Sequence, residues 1–277
     1  MREIKNVLIV SDIDGTFLGK GSRIVEKNVE AIERFKAKGG MFTFATGRVL
    51  VNINTNIPIA QDLLNAPAIL ANGGYLYDYA SKRVIRANHM DPNIILPVIK
   101  YIDESFPNVT TRLMTEDHFW IPRLEGLVKN DVLRMLREKD YTVAPIEEWP
   151  REGWIKFVVR GKVEDVDEVR DAVEQKFGKI AECSKSGSTF LEYQKLGCSK
   201  ATAILTLKEY YRQRGRDVTL IAAGDYENDL EMLKAADVSV CPSNALDAVK
   251  EVCDYCLCDH DEGLIANIIE LIENGKM

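Results

Sequence analysis

The chain has 277 residues, 46% hydrophobic and 29% charged, which is enough to bury a large core and to form two domains. With 36 basic and 43 acidic residues the net charge is −7, so the electrostatic footprint of a nucleic-acid binder is missing. No apolar run approaches the roughly 20 residues of a membrane span and no secretory signal is seen, so a soluble cytoplasmic protein without a membrane partner is expected.

Residues 7–11, VLIVS, form a short apolar run that passes through Asp12 into Asp14-Gly15-Thr16. A run of this kind bounded by turn residues reads as a buried strand. Two carboxylates two residues apart on the turn leaving it repel each other unless a cation or a shared proton relieves them. Oxygen ligands of this sort suit a hard ion such as Mg²⁺; the plainer reading is an Asp-Gly turn that ends a strand. Residues 25–38 place Val29, Ile32 and Phe35 at helical spacing, and Gly39-Gly40 stops that helix. A second strand over 41–45 ends in Thr46-Gly47-Arg48, and 49–56 reads as a helix before Pro58. A third strand over 67–71 turns back at Asn72-Gly73-Gly74 into 75–78. Strand and helix in this rhythm predict parallel βαβ units.

From about residue 82 the texture changes. A strand over 83–87, a helix over 93–106 and a hairpin over 109–114 and 118–121 are followed by a helix over 130–139. Next come a strand over 153–160, a helix over 163–177 and short strands over 179–182 and 189–193. No strand end in this stretch carries a strongly acidic turn, and the spacing predicts a second, α+β domain inserted into the first. The boundaries read as 1–83 and 194–277 for the core domain and 84–193 for the insert.

The first rhythm then returns. Residues 199–214 carry Ile204, Leu207 and Tyr211 on one stripe, with Ser199 as the N-cap. A strand over 218–223 ends in Gly224-Asp225, and helices over 227–235, 245–251 and 262–273 alternate with a strand over 238–241. Cys253, Cys256 and Cys258 crowd together, but the second ligand pair of a zinc site is missing. Residues 254–258 therefore read as a strand with buried free thiols.

In an open parallel sheet, ligands bind beyond the carboxyl ends of the strands. Asp12 and Asp14, Thr46-Gly47-Arg48, and Gly224-Asp225 with Asn228-Asp229 all fall there. Lys200 opens a helix, where free N–H groups favour an anion. The sum suits a phosphate group held against a divalent metal. Taken one at a time, Thr46 could be an N-cap, Lys200 a surface residue, and Asp225 and Asp229 helix-capping acids.

With these residues in place the chain resembles the haloacid dehalogenase-like superfamily of phosphatases, over its whole length. The family's first motif stands as Asp12-Ile13-Asp14-Gly15-Thr16, its second as Thr46 with Gly47-Arg48, its third as Lys200, and its fourth as the run from Gly224 to Asp229. The insert is similar to the cap of Cof-type, subclass IIB members, and Asn72-Gly73 and Asp261-Glu262-Gly263 are typical of that group. Phe17, Ala201 and the loop Pro242-Ser243-Asn244-Ala245 depart from the usual residues without removing a chemical group.

The resemblance implies an α/β fold with a Rossmann-like parallel-sheet core and a cap. It also implies a Mg²⁺-dependent phosphatase of a small phosphorylated metabolite, a sugar phosphate or similar, working as a monomer or homodimer. Asp12 would be the nucleophile, and Asp14 the general acid and then base, protonated while substrate is bound. Asp12, Asp14 through its carbonyl, and Asp225 would hold the metal, and Asp229 would ligate through water or hold Lys200. Thr46, Gly47, Lys200 and Asn228 would bind the phosphoryl group. Arg48, Asn72, His118, Trp120 and Arg123 are candidates for contact with the rest of the substrate. The alternatives are a phosphotransferase or mutase acting on sugar phosphates, and a phospholigand-binding regulator without turnover.

Overall fold

The computed structural model describes residues 4–125, 129–130, 132 and 136–277. The chain divides into two compact units, one formed by Met1–Gly47, Ile59–Arg86 and Ser199–Met277, the other by Arg48–Pro58 and Ala87–Cys198.

The first unit is built on a sheet of five parallel strands in the order Tyr255–Cys256, Val238–Cys241, Thr219–Ala223, Val7–Ser11 and Met41–Phe44. Val7–Ser11 is buried on both faces, which explains its unbroken apolar run. On one face Leu8, Val10, Leu220 and Ala222 pack against Ile204 and Leu207 of helix Lys200–Arg212. The other face carries Phe17, Phe42 and Phe44, with ring centroids of Phe17 and Phe44 4.9 Å apart. Helices Glu26–Ala37 and Leu264–Glu273 pack against each other. The second of them buries Leu264, Ile265, Ile268, Ile269 and Ile272, each burial being worth about 1.5–3 kcal/mol. A short three-stranded sheet of Ala68–Leu70, Tyr75–Asp78 and Arg83–Ala87, its first two strands antiparallel, joins the main sheet through the parallel bridge Ala45 to Ile69.

In the helix predicted over 25–38, which runs Glu26–Ala37, the inward residues are Asn28, Ala31, Ile32 and Phe35, while Val29 is half-buried. Asn28 is turned inward because its side chain is used at both ends. Its Nδ2 donates to Phe17 O at 3.0 Å, and its Oδ1 accepts from Ala266 N at 3.0 Å. A hairpin of Leu18–Gly19 with Arg23–Ile24 is an addition to the predicted elements.

The second unit is a six-stranded sheet in the order Tyr141–Val143, Phe119–Ile121, Thr110–Met114, Lys156–Arg160, Phe190–Gln194 and Glu182–Gly187. Its neighbours are antiparallel except for Tyr141–Val143 with Phe119–Ile121. Leu113, Phe157, Val159, Leu191 and Tyr193 form one apolar face, packed with Ile95, Val98, Ile99 and Ile102 of helix Pro92–Ser105 and Val166, Val169 and Val173 of helix Val163–Phe177. The strand expected at 179–182 starts instead at Glu182, pinned by its pairing with Gln194. Tyr141–Val143 was not predicted. The helix expected over 130–139 falls at 131 and 133–135 outside the described residues. The strand expected over 254–258 is only Tyr255–Cys256; all six cysteines are free thiols, but Cys256 is exposed and Cys253 and Cys258 are half-buried where buried thiols were expected.

Candidate active site

Val7–Ser11 lies between Thr219–Ala223 and Met41–Phe44, so the three polar turns leave neighbouring strands on one edge of the sheet. Backbone bonds set them side by side. Asp12 N donates to Ala223 O at 2.8 Å, and Ala45 N donates to Ser11 O at 2.8 Å. Chain direction fans out on either side of the first strand here, which is where α/β sheets open a crevice.

Asp12, Asp225 and Asp229 bring one carboxylate oxygen each to within 4.8 Å of one another. Lys200 reaches into this group: its Nζ donates to Asp12 Oδ1 at 2.6 Å and to Asp229 Oδ1 at 2.7 Å. It is 1% exposed, so it is far from being a surface lysine. Ser199 caps its helix, with Oγ accepting from Thr202 N at 3.1 Å while Thr202 Oγ1 accepts from Ser199 N at 3.0 Å. Asp229 is committed at its other oxygen as well. Oδ2 accepts from the amides of Asp225 at 3.0 Å and Tyr226 at 3.1 Å, so Asp229 shapes the turn that presents Asp225. Thr16 Oγ1 donates to Asp225 Oδ1 at 2.6 Å.

Two glycines make this approach possible. Gly15 sits at φ +80°, and a Cβ there would stand 2.4 Å from Asp225 Oδ2. Gly73 sits at φ +94°, and a Cβ there would stand 2.4 Å from Ser199 O, at the mouth of the lysine helix. Asn72 is buried and also left-handed. Its N–H donates to Thr46 O at 2.8 Å, and its Oδ1 accepts from Asn228 Nδ2 at 3.2 Å. Thr46 is buried, and Thr46 N donates to Ile69 O at 3.0 Å. Thus Thr46, Asn72 and Asn228 form one connected rim.

The electrostatics follow from burial first and from crowding second. Burial pushes the Asp12 carboxyl well above the usual range; Lys200 opposes this, and Asp229, Asp225 and Asp14 add to it. Asp225 is pushed up to about 6, by burial first, with Thr16 opposing and Asp229 adding. Burial alone would pull the Lys200 ammonium down, but Asp12 and Asp229 together outweigh it and hold it above its ordinary value. Asp14 is exposed at the edge of the group.

Arg48, His118, Trp120 and Arg123 belong to the second unit. His118 Nε2 lies 2.9 Å from Thr142 Oγ1, and Trp120 stands opposite Leu113 in the strand register, on the apolar face. Arg123 is held by Asp103 at 2.6 Å and by Glu125 at 2.9 Å. Sequence reasoning named Thr16 and Asn244 within longer stretches of chain but gave neither of them a role at the site. Asn244 Nδ2 donates to Gly15 O at 2.9 Å. Its signal was a polar residue in a loop three residues past the end of strand Val238–Cys241.

The family model for haloacid dehalogenase-like hydrolases matches residues 9–269. The 5-amino-6-(5-phospho-D-ribitylamino)uracil phosphatase YwtE of Bacillus subtilis is 27% identical, over 97% of this chain and 98% of that protein. The pyridoxal phosphate phosphatase YbhA of Escherichia coli is 28% identical, over 95% of this chain and 97% of that protein. The fold is shared with the subclass IIB sugar phosphatase BT4131, with a TM-score of 0.80 at 23% identity over 98% of this chain and 100% of the other.

Proposed function

The chain belongs to the haloacid dehalogenase-like hydrolases and is an enzyme of the phosphatase kind; from there we propose that it is a Mg²⁺-dependent hydrolase of a small phosphorylated metabolite, working through an aspartyl-phosphate on Asp12. The observation that carries this reading is the group of buried Asp12 and Asp229 and half-buried Asp225 around Lys200 on the carboxyl edge of the sheet.

The donor set fits a hard divalent cation. It offers only oxygens, and its acids are raised by burial and by one another, as an incomplete cation site would be. Asp12, Asp225 and the carbonyl of Asp14 would hold the ion, while Asp229, engaged at both oxygens, holds Lys200 and the turn around Asp225. Mg²⁺ would supply the positive charge that lets a phosphate dianion approach a carboxylate.

The chain's own groups do the rest. Lys200 orients Asp12 through Oδ1 and favours its ionised form. A carboxylate oxygen of Asp12 forms the new bond to phosphorus as the bond to the leaving alkoxide breaks. Asp14 gives that alkoxide its proton, and then takes one from the water that frees inorganic phosphate and restores Asp12. Thr46, the Gly47 amide and Lys200 hold the phosphoryl oxygens as fixed donors, with Asn228 and Asn72 bracing the rim. The two curated relatives are named for phosphates borne on primary alcohols, whose alkoxides leave poorly without an acid. A small primary-alcohol phosphate, of a sugar or a similar polyol, is therefore the proposed substrate class.

A panel of phosphorylated metabolites with Mg²⁺, scored by released phosphate, tests the reading. Asp12→Asn should lower turnover at least about a thousandfold with an unchanged circular dichroism spectrum. Near-normal turnover would remove Asp12 from its role. Transfer of labelled phosphate to an added sugar in place of water would make the protein a phosphotransferase.

A further inference from the structure

We propose that Asn244 is a positioning residue for Asp14, which it sets by tying the turn after Asp14 to the loop 259–263. The inference rests on the acid role given to Asp14 above.

Asp14 stands at the exposed tip of a turn, and the hairpin that follows has strands of only two residues each. A two-stranded ribbon of that size has little stability of its own. Its geometry must come from outside, and the structure shows from where. Asn244 Nδ2 donates to Gly15 O at 2.9 Å, and Asn244 Oδ1 accepts from His260 N at 3.0 Å. His260 Nδ1 donates to Leu18 O at 2.6 Å. Asp261 Oδ1 accepts from Lys20 N at 2.8 Å and from Arg23 Nη2 at 3.0 Å. The backbone is thus held at Leu18 and Lys20 by the loop 259–263 and at Gly15 by Asn244, which is itself bonded to that loop at His260 and is the fastening next to Asp14.

Both ends of the Asn244 amide face partners of fixed sense. Gly15 O can only accept and His260 N–H can only donate, so an amide is required and a carboxylate would face the Gly15 carbonyl without a proton to share. This loop also gives Asp261-Glu262-Gly263 a use, since Asp261 spends its carboxylate on the hairpin. Asn244 is exposed, so its loss removes hydrogen bonds without opening a cavity.

The test compares an alkyl phosphate, a primary sugar phosphate, with the aryl ester p-nitrophenyl phosphate, using the full chain with Mg²⁺. The quantity read is kcat/KM, which covers the steps up to phosphoryl transfer, where leaving-group protonation matters for the alkyl ester and hardly at all for the aryl one. Asn244→Ala should lower the alkyl-to-aryl ratio of kcat/KM by about 10- to 100-fold, the range of a displaced acid. Asn244→Asp should lower it as well, and the melting temperature of both should stay within a few degrees of wild type. Equal losses on both esters, or an unchanged ratio, would overturn the positioning role while leaving the site reading intact. A wild-type protein that hydrolyses neither ester would overturn the site reading and this inference with it.

Discussion

Each unit of the molecule buries a lysine against carboxylate, and the two arrangements differ in one respect that matters. In the second unit Lys156 meets Glu192 at 2.8 Å on neighbouring strands, with side chains 2% and 8% exposed. In the first unit Lys200 meets Asp12 and Asp229 at 2.6 and 2.7 Å, and Asp225 stands beside them. A lysine set against a carboxylate answers its burial, whereas a lysine among several acids leaves negative charge over. Burial first, and the neighbouring acids after it, raise the carboxyls of Asp12 and Asp225. Excess charge held under burial is a sign of a ligand still to come, and a buried ion pair by itself is not.

Three measurements can break or sharpen this contrast. Lys156→Met should destabilise the protein by about 3–5 kcal/mol in urea unfolding, because it breaks a buried ion pair by removing its cation. Adding Glu192→Leu should recover most of it, and Mg²⁺ should recover none. Lys200→Met should behave in the opposite way. Its kcat/KM should fall about 100- to 1,000-fold, the range seen when a preorganised donor is removed. Its lost thermal stability should return in part with Mg²⁺, since a cation can replace the missing ammonium among the acids. If Mg²⁺ rescued both variants or neither, the contrast would be empty.

The smallest effect is in pH. Asp225 is raised to about 6 from an ordinary 3.8, so the folded, metal-free protein keeps a proton that the unfolded chain has released. Between about pH 4 and 6 the folded state therefore binds more protons, and the stability of the metal-free protein falls as pH rises. Metal binding needs the carboxylate, so Mg²⁺ affinity should drop about tenfold per pH unit below 6. Melting curves with and without Mg²⁺ at about pH 5 and 7 read this directly: the shift should be large at the higher pH and small at the lower. A constant shift would mean that Asp225 does not titrate with the metal.

The parts of the fold that could be read from sequence were those with a strong period or an unbroken apolar run. Val7–Ser11 and Lys200–Arg212 lie where their patterns put them, with Ser199 as the cap. The hairpin Leu18–Ile24 left no such trace, since strands of two residues cannot show alternation and their anchor, Asp261, is 241 residues from Lys20. Asn28 misled the reading of its helix for a similar reason: its two partners, Phe17 O and Ala266 N, decide which way it faces. At the site, the acids and the threonine were visible because strand-end turns gather polar residues. Asn244 was not, since its use depends on Gly15, 229 residues away.

By itself the amino-acid order determined which chemical groups each strand-end turn could offer: carboxylates at Asp12, Asp14, Asp225 and Asp229, and a hydroxyl at Thr46. Patterns in sequence report forces acting over a few residues, such as alternation along a strand, helical spacing and caps. Only the tertiary structure decided that Lys200 reaches Asp12 across 188 residues and is buried there, and which oxygens of Asp229 are already taken. Those outcomes come from the order in which strands are laid beside one another in the sheet. Burial then sets the charge balance by removing water from groups that, along the chain, are strangers.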